Sequence, residues 1–240
     1  MPLDDLFWDW PTTPTTWARL LILRVRRKLP VRPSDPTFQH LLGLLPGNPE
    51  RCAGAVADLL ALYAADGRFY HTLAHVQDVL GHLQPYLAQA HNPLALQLAA
   101  WFHDAIYDPR RHDNETQSAA YATAVLASLG AAAGLIDETA RLIRLTERHE
   151  TAVADSDGHI LLDADLAVLA AEPSRYDAYA QAIRREYAHI PAEAYRQGRT
   201  AVLARLLARE QLYFLPAHGA WETSARLNLR REMARLATMS

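Results

Sequence analysis

Cysteine is nearly absent from this chain: Cys52 is the only one in 240 residues. A single thiol excludes an intramolecular disulfide framework and any cysteine-rich zinc site, and it suits a reducing compartment. Glycine is scarce, at 10 residues, and there is no alternating Val/Ile/Thr run of the kind that builds strands. No apolar run approaches the length that spans a bilayer. The segment LLIL at 20–23 is too short, and the basic stretch RVRRK follows it rather than preceding it. The opening MPLDDLFWDW carries acids where a signal peptide needs positive charge, so a cytoplasmic protein without a transmembrane segment is expected. Basic excess is missing too. With a formal net charge of −3, no global field would hold nucleic acid by its backbone, and no nucleic-acid polymer is expected as a partner.

What the chain does have is Ala, Leu and Arg, with half of its residues hydrophobic and 21% charged. That mixture belongs to a folded soluble protein with helical preference almost everywhere, and an all-α fold with a single main domain follows. Two regions are expected. Residues 1–35 form an N-terminal extension: an irregular lead-in through DWPTTPTT, then a basic amphipathic helix built on Trp17, Leu20, Leu21, Ile22, Leu23 and Val25, then the proline-punctuated linker LPVRPSDP. That helix would pack on the body, join two copies or lie on a membrane surface, and this tryptophan-rich segment is the candidate interface of a homo-oligomer. Residues 36–240 form the domain. Within it, helices are predicted over 37–45, 49–65, 72–89, 93–107, 113–129, 134–149, 175–188, 192–213 and 217–237, broken at Pro46-Gly47, Asp66-Gly67, Asn92-Pro93, Asp108-Pro109 and Gly130. TAVADSDGHI, 151–160, reads as the longest polar connection of the domain.

Three stretches carry polar chemistry inside apolar surroundings. In FYHTLAHVQDV, 69–79, His71 and His75 are four apart, which on a helix puts them on one face. Such a pair alone is more often a capped or hydrogen-bonded structural pair than a metal site. In LALQLAAWFHDAIY, His103 and Asp104 sit in a helix apolar almost all round, and a buried carboxylate has to be paired or coordinate a cation. In LLDADLAVLA, Asp163 and Asp165 repeat the situation. One shared divalent cation satisfies all three, and a mixed imidazole and carboxylate set suits Mn, Fe, Ni, Co, Zn or Mg rather than a soft thiolate metal.

The order His75, His103-Asp104, Asp165 resembles the H…HD…D signature of the HD superfamily of metal-dependent phosphohydrolases. More closely, YHTLAHV, FHDAIYDP with DNE and SA after it, LLDADL, and the late run REY…Y…GR…VL resemble a bacterial family of predicted HD phosphohydrolases over about residues 36–235. The resemblance implies an HD-type helical bundle and an enzyme that cleaves a phosphoester of a small metabolite, a nucleotide above all, with metal-activated water. It makes His75, His103, Asp104 and Asp165 the metal ligands for one or two ions, with Asp104 able to bridge two. His71 matches the general acid of cyclic-nucleotide phosphodiesterases. Asp163 competes with Asp165 for the last ligand position, and the Asp-Leu pair favours Asp165. His149 falls where some two-metal HD proteins place extra ligands, though a His near a helix C-terminus also suits the helix dipole. Glu115, with Asn114, either orients a ligand or metal-bound water or simply begins a helix. Arg68, Arg196 and Arg199 are candidate phosphate clamps or solvated surface cations. An HD-fold di-iron oxygenase and a non-catalytic metal and nucleotide sensor are the alternatives.

Overall fold

The computed structural model describes residues 32–238, so the lead-in and amphipathic helix expected before residue 32 lie outside the described residues. Ten α-helices and no strand occur among the described residues, in accord with the all-α expectation. They are α1 (Pro36–Leu44), α2 (Pro49–Tyr63), α3 (Leu73–Leu83), α4 (Pro93–Phe102), α5 (Asn114–Ser128), α6 (Ala133–Leu145), α7 (Ser156–Asp165), α8 (Pro173–Glu186), α9 (Ala192–Leu207) and α10 (Gly219–Thr238). Short 3₁₀ turns extend α3 over Gln84–Gln89 and α7 over Leu166–Ala170, and a third, Pro216–His218, leads into α10.

Helix starts follow one recurring device. Asp35-Pro36, Asn48-Pro49 and Asn92-Pro93 each place a side-chain acceptor at the N-cap and a proline at the first helical position. Proline there loses no hydrogen bond, and the cap oxygen satisfies backbone N–H groups that would otherwise be unpaired: Asp35 accepts from Thr37, Asn48 from Glu50 and Arg51, Asn92 from Ala95.

Several expected boundaries differ, the helix predicted over 134–149 ending at Leu145 among them. The polar connection at 151–160 is half helical, because Asp155 caps α7 at the Gly158 N–H, 3.0 Å away, and starts the helix at Ser156. The helix predicted over 93–107 ends at Phe102, with His103 as C-cap and Asp104 in the turn beyond. The helix predicted over 192–213 ends at Leu207, before Tyr213 and Phe214.

The apolar side chains form two cores. The larger gathers Leu41, Val56, Leu59, Leu98, Trp101, Leu126, Ile143 and Leu161 from α1 to α7. The smaller gathers Leu169, Tyr176, Leu203, Tyr213 and Leu229 from the second 3₁₀ turn through α10. Asp165 stands where α7 passes from one core to the other. Burial of apolar side chains at about 25 cal/mol per Å² is what holds each core together.

Candidate metal centre

The donors reach the centre from α3, the α4–α5 turn and α7. His75 lies in the first turn of α3, while His71 lies just before that helix, so the pair does not share a helical face as predicted; the rings meet edge to face at 6.1 Å. His103 and Asp104 leave the end of α4, and Asp165 is the last residue of α7. Together they place His75 Nε2 3.2 Å from His103 Nε2, and Asp165 Oδ1 3.0 Å from the first and 3.5 Å from the second. Asp104 Oδ2 stands 3.1 Å from His103 Nε2 and 3.6 Å from His75 Nε2. All are buried or nearly so.

The tautomer of His103 decides what this geometry means. Its Nδ1 donates to the Ala100 carbonyl at 2.9 Å, so in the neutral ring Nε2 presents a lone pair to the centre. Lone pairs and two carboxylates facing one another away from water repel unless a positive charge lies between them. With protons alone supplying it, burial pushes the His103 imidazole down, but the Asp104 and Asp165 charges beside it win and hold it well above the ordinary range. Conversely, burial pushes Asp104 and Asp165 up, and the imidazoles, His103 first, carry both well below the usual carboxylate range. His75, His103 and Asp165 offer donor atoms all within 4.8 Å of one another and could hold a metal ion. Two nitrogens and hard carboxylate oxygens match a borderline or hard divalent cation, with a backbone carbonyl orienting the ligand imidazole from behind.

His149 joins this group. Its Nε2 lies 2.8 Å from Asp165 Oδ2, the carboxylate oxygen that the other two imidazoles leave free. It lies beyond the end of α6 with φ at +52°, the left-handed region that a non-glycine residue seldom occupies. Arg209 holds that turn by donating to the His149 carbonyl at 3.0 Å.

Glu186, at the end of α8, is the residue beside the site that sequence reasoning missed. Its Oε1 accepts the backbone N–H groups of Phe69, Tyr70 and His71 at 2.7, 2.7 and 3.0 Å. Its Oε2 accepts from His71 Nδ1 at 2.7 Å and from the Tyr107 hydroxyl at 2.8 Å. Burial pushes this carboxyl up, but the His71 hydrogen bond and charge, with the backbone donors, bring it down to about 2. Burial pushes the His71 imidazole down, but the Asp104 charge first, then the Glu186 hydrogen bond and charge, raise it. Tyr107 stacks on the His71 ring at 4.0 Å, so orientation and charge are both fixed.

Arg68 ties the two turns together. Its guanidinium donates to the carbonyls of His71 at 3.0 Å, Asp104 at 2.7 Å and Ala105 at 2.8 Å. Arg196 pairs with Glu193 on an exposed face, and Arg199 is buried in a two-point pair with Glu232 at 2.8 and 3.0 Å. None of the three arginines lines the cavity at the centre. That cavity, about 150 Å³, is bounded by Tyr70, His71, His75, His103, Asp104, Glu115, Thr146, His149, Asp165 and Tyr179, among others. Glu115 thus reaches the site, its carboxyl raised chiefly by burial, while Asn114 instead bridges the Asp108 backbone.

Asp163, the rival to Asp165, faces elsewhere. It accepts from the N–H groups of Phe214 and Leu215 at 2.8 and 2.9 Å and pairs with His218 Nδ1 at 2.8 Å. Two residues apart near the end of one helix, the two aspartates point to different sides, one toward the imidazoles and one toward the turn before α10.

Compared with protein-family models, curated proteins and solved structures, the chain matches none.

Proposed function

We propose that the protein is a metal-dependent phosphohydrolase of HD type, cleaving a phosphoester of a small metabolite. The observation that carries the reading is the meeting of two imidazole Nε2 atoms and Asp165 Oδ1 within 3.0 to 3.5 Å, in the same cavity as a separate imidazole, His71, held by its own carboxylate. The order of these residues along the chain, resembling the HD signature, supports the same assignment. Bound there, a divalent cation would neutralise phosphoryl oxygens and lower the pKa of water from about 15.7 toward about 7.

The chain supplies the rest. His75, His103, Asp104 and Asp165 would hold the ion, and His149, 2.8 Å from the second oxygen of Asp165, would with that oxygen be a donor to a second one. Mn, Fe, Ni, Co, Zn and Mg all suit such donors. His71 acts as general acid: with Nδ1–H on Glu186, its protonated Nε2–H faces the cavity and can be delivered to the departing alkoxide as the P–O bond breaks. Glu186 keeps that imidazole both charged and aimed. Thr146 and Tyr70 also line the cavity.

The test is elemental analysis of the purified protein, wild type beside His103→Ala, followed by a panel of phosphoesters assayed with the metal found. A transition metal or magnesium lost in the variant together with hydrolysis is the expected result. Metal bound without turnover of any ester sinks the hydrolase in favour of a sensor, and two irons with oxygen consumption in favour of an oxygenase.

A further inference from the structure

A groove of about 450 Å³ runs between α8, α9 and α10 and shares no lining residue with the cavity at the cation centre. Its walls are apolar: Ala180 of α8, Ala192 and the Tyr195 ring of α9, and Leu236 of α10. Its rim is charged. Asp177 pairs with Arg231 and Arg235, Glu193 with Arg196, and Glu232 with Arg199, so each acid is already answered. Arg184 stands over the Tyr195 ring at 4.5 Å and, among the described residues, donates only to the carbonyls of Tyr187 and Ile190. Five arginines thus face three acids, and the groove keeps an excess of positive charge.

The excess is regional. α8, α9 and α10 together carry ten arginines and five acids, in a chain whose formal net charge is −3. The balancing acids lie elsewhere, and three of them fall in the first ten residues, MPLDDLFWDW. In that stretch Leu3, Leu6, Phe7 and Trp10 stand at i, i+3, i+4 and i+7, with Asp4, Asp5 and Asp9 between them. This is the spacing by which an amphipathic helix lays one apolar stripe into a groove. The acids would then meet the rim that Arg184, Arg196 and Arg235 supply.

The way there is short. The described chain begins at residue 32 and enters α1 at Pro36, where the Thr37 hydroxyl accepts from Gln77 Nε2 at 2.8 Å. The next residue, Asp78, pairs at 2.5 Å with Arg175, in the first turn of α8 and two residues before Asp177 of the groove. The entry of the chain and the start of α8 therefore lie on one flank. Residues 11–31 reach up to about 70 Å when fully extended. A tether of this kind holds its segment at an effective concentration on the order of millimolar, which a free solute of the same chemistry would have to match.

We propose that residues 3–10 of this chain occupy the groove between α8, α9 and α10 of the same molecule. Leu3, Leu6, Phe7 and Trp10 would lie against its apolar walls, with Asp4, Asp5 and Asp9 toward its arginines. The assignment is independent of the phosphohydrolase reading and holds whatever the cation centre does. Because α8 ends in Glu186, the seated segment lies along the helix that holds His71.

The experiment is disulfide trapping in the whole 240-residue chain. Pro11→Cys is combined with Gln181→Cys, an exposed residue of the groove, and separately with Ser128→Cys, at the exposed end of α5. Cys52 is buried and does not compete. On oxidation with diamide, the Gln181→Cys pair should close within one chain on the order of tenfold faster than the Ser128→Cys pair, as a seated tether requires. Leu6→Asp with Phe7→Asp, which alters no residue of the described helices, should bring the two rates together. Equal rates before that change, or a fast rate that survives it, overturn the proposal. A fast bond at Gln181→Cys that forms only between two copies overturns the placement within one molecule and gives the groove to a second copy's segment.

Discussion

A carboxylate with five hydrogen bonds is an unusual concentration of donors on one side chain, and Glu186 spends them on a single task, holding His71 and the turn that carries it. Glu186→Gln keeps the size but leaves one acceptor oxygen of two, puts an N–H donor in the other's place and removes the charge. It is expected to lower kcat by roughly 10²-fold, within the range general acid catalysis contributes, while metal content measured by elemental analysis stays the same. A general acid works while protonated, and Glu186 raises the His71 pKa. Its loss should therefore shift the basic limb of the kcat–pH profile to lower pH, a readout that a merely structural residue would leave in place. The residues that gather at the candidate centre were legible in the sequence because acid among Leu and Ala advertises itself. Glu186 was not, because RREY reads as the charged end of an amphipathic helix. The signal was periodic: Tyr176, Tyr179, Ile183 and Glu186 form one stripe of α8, and an acid on the inward stripe has to be answered by something. The arginines misled for the opposite reason. Composition cannot tell a free guanidinium from one already committed to three carbonyls, as Arg68 is.

At the scale of elements, helix existence was readable and helix ends were less so. Asn-Pro and Asp-Pro pairs announced three starts because cap and proline act locally. The ends at Phe102 and Leu207 were set by tertiary needs: the chain stops being helical at His103 so that His103 and Asp104 can turn toward α7. A local device with a global role is Gly47, at φ +107°, where a Cβ would stand 2.4 Å from the Leu129 carbonyl oxygen at the end of α5. Here the turn between α1 and α2 closes directly on backbone, and neither side can yield easily. Gly47→Ala is expected to cost about 1–3 kcal/mol of stability, read as a lower urea midpoint with an unchanged slope, and to leave bound metal per folded molecule as it was.

For the whole molecule, the seam between the two cores is where charge is concentrated, and acid should therefore attack it. The Glu186 carboxyl titrates near 2 when folded, against 4.5 ordinarily. Asp155, which caps α7, is raised by burial but drawn down to about 2 by the Arg141 and Thr151 bonds and the Gly158 N–H. Both hold a proton less tightly folded than unfolded, so unfolding takes up protons at acid pH. The stability they contribute is complete above about pH 5 and is lost as pH falls toward about 2. Urea unfolding followed between about pH 5 and about pH 3 should show this decline in wild type and a shallower one in Glu186→Gln; equal slopes would mean that the carboxylate's partners contribute nothing to folding.

The same seam sets an order of events during synthesis. His75, His103 and Asp104 belong to the half of the chain that leaves the ribosome first, while Asp165 comes at the junction and Glu186 in the second half. At translation speeds of about 5–20 residues per second, His75, His103 and Asp104 wait several seconds before Asp165, which completes the group, leaves the ribosome. An ion held by this group would therefore be taken up late, after α7 has docked, and selected by the finished pocket rather than by the nascent chain.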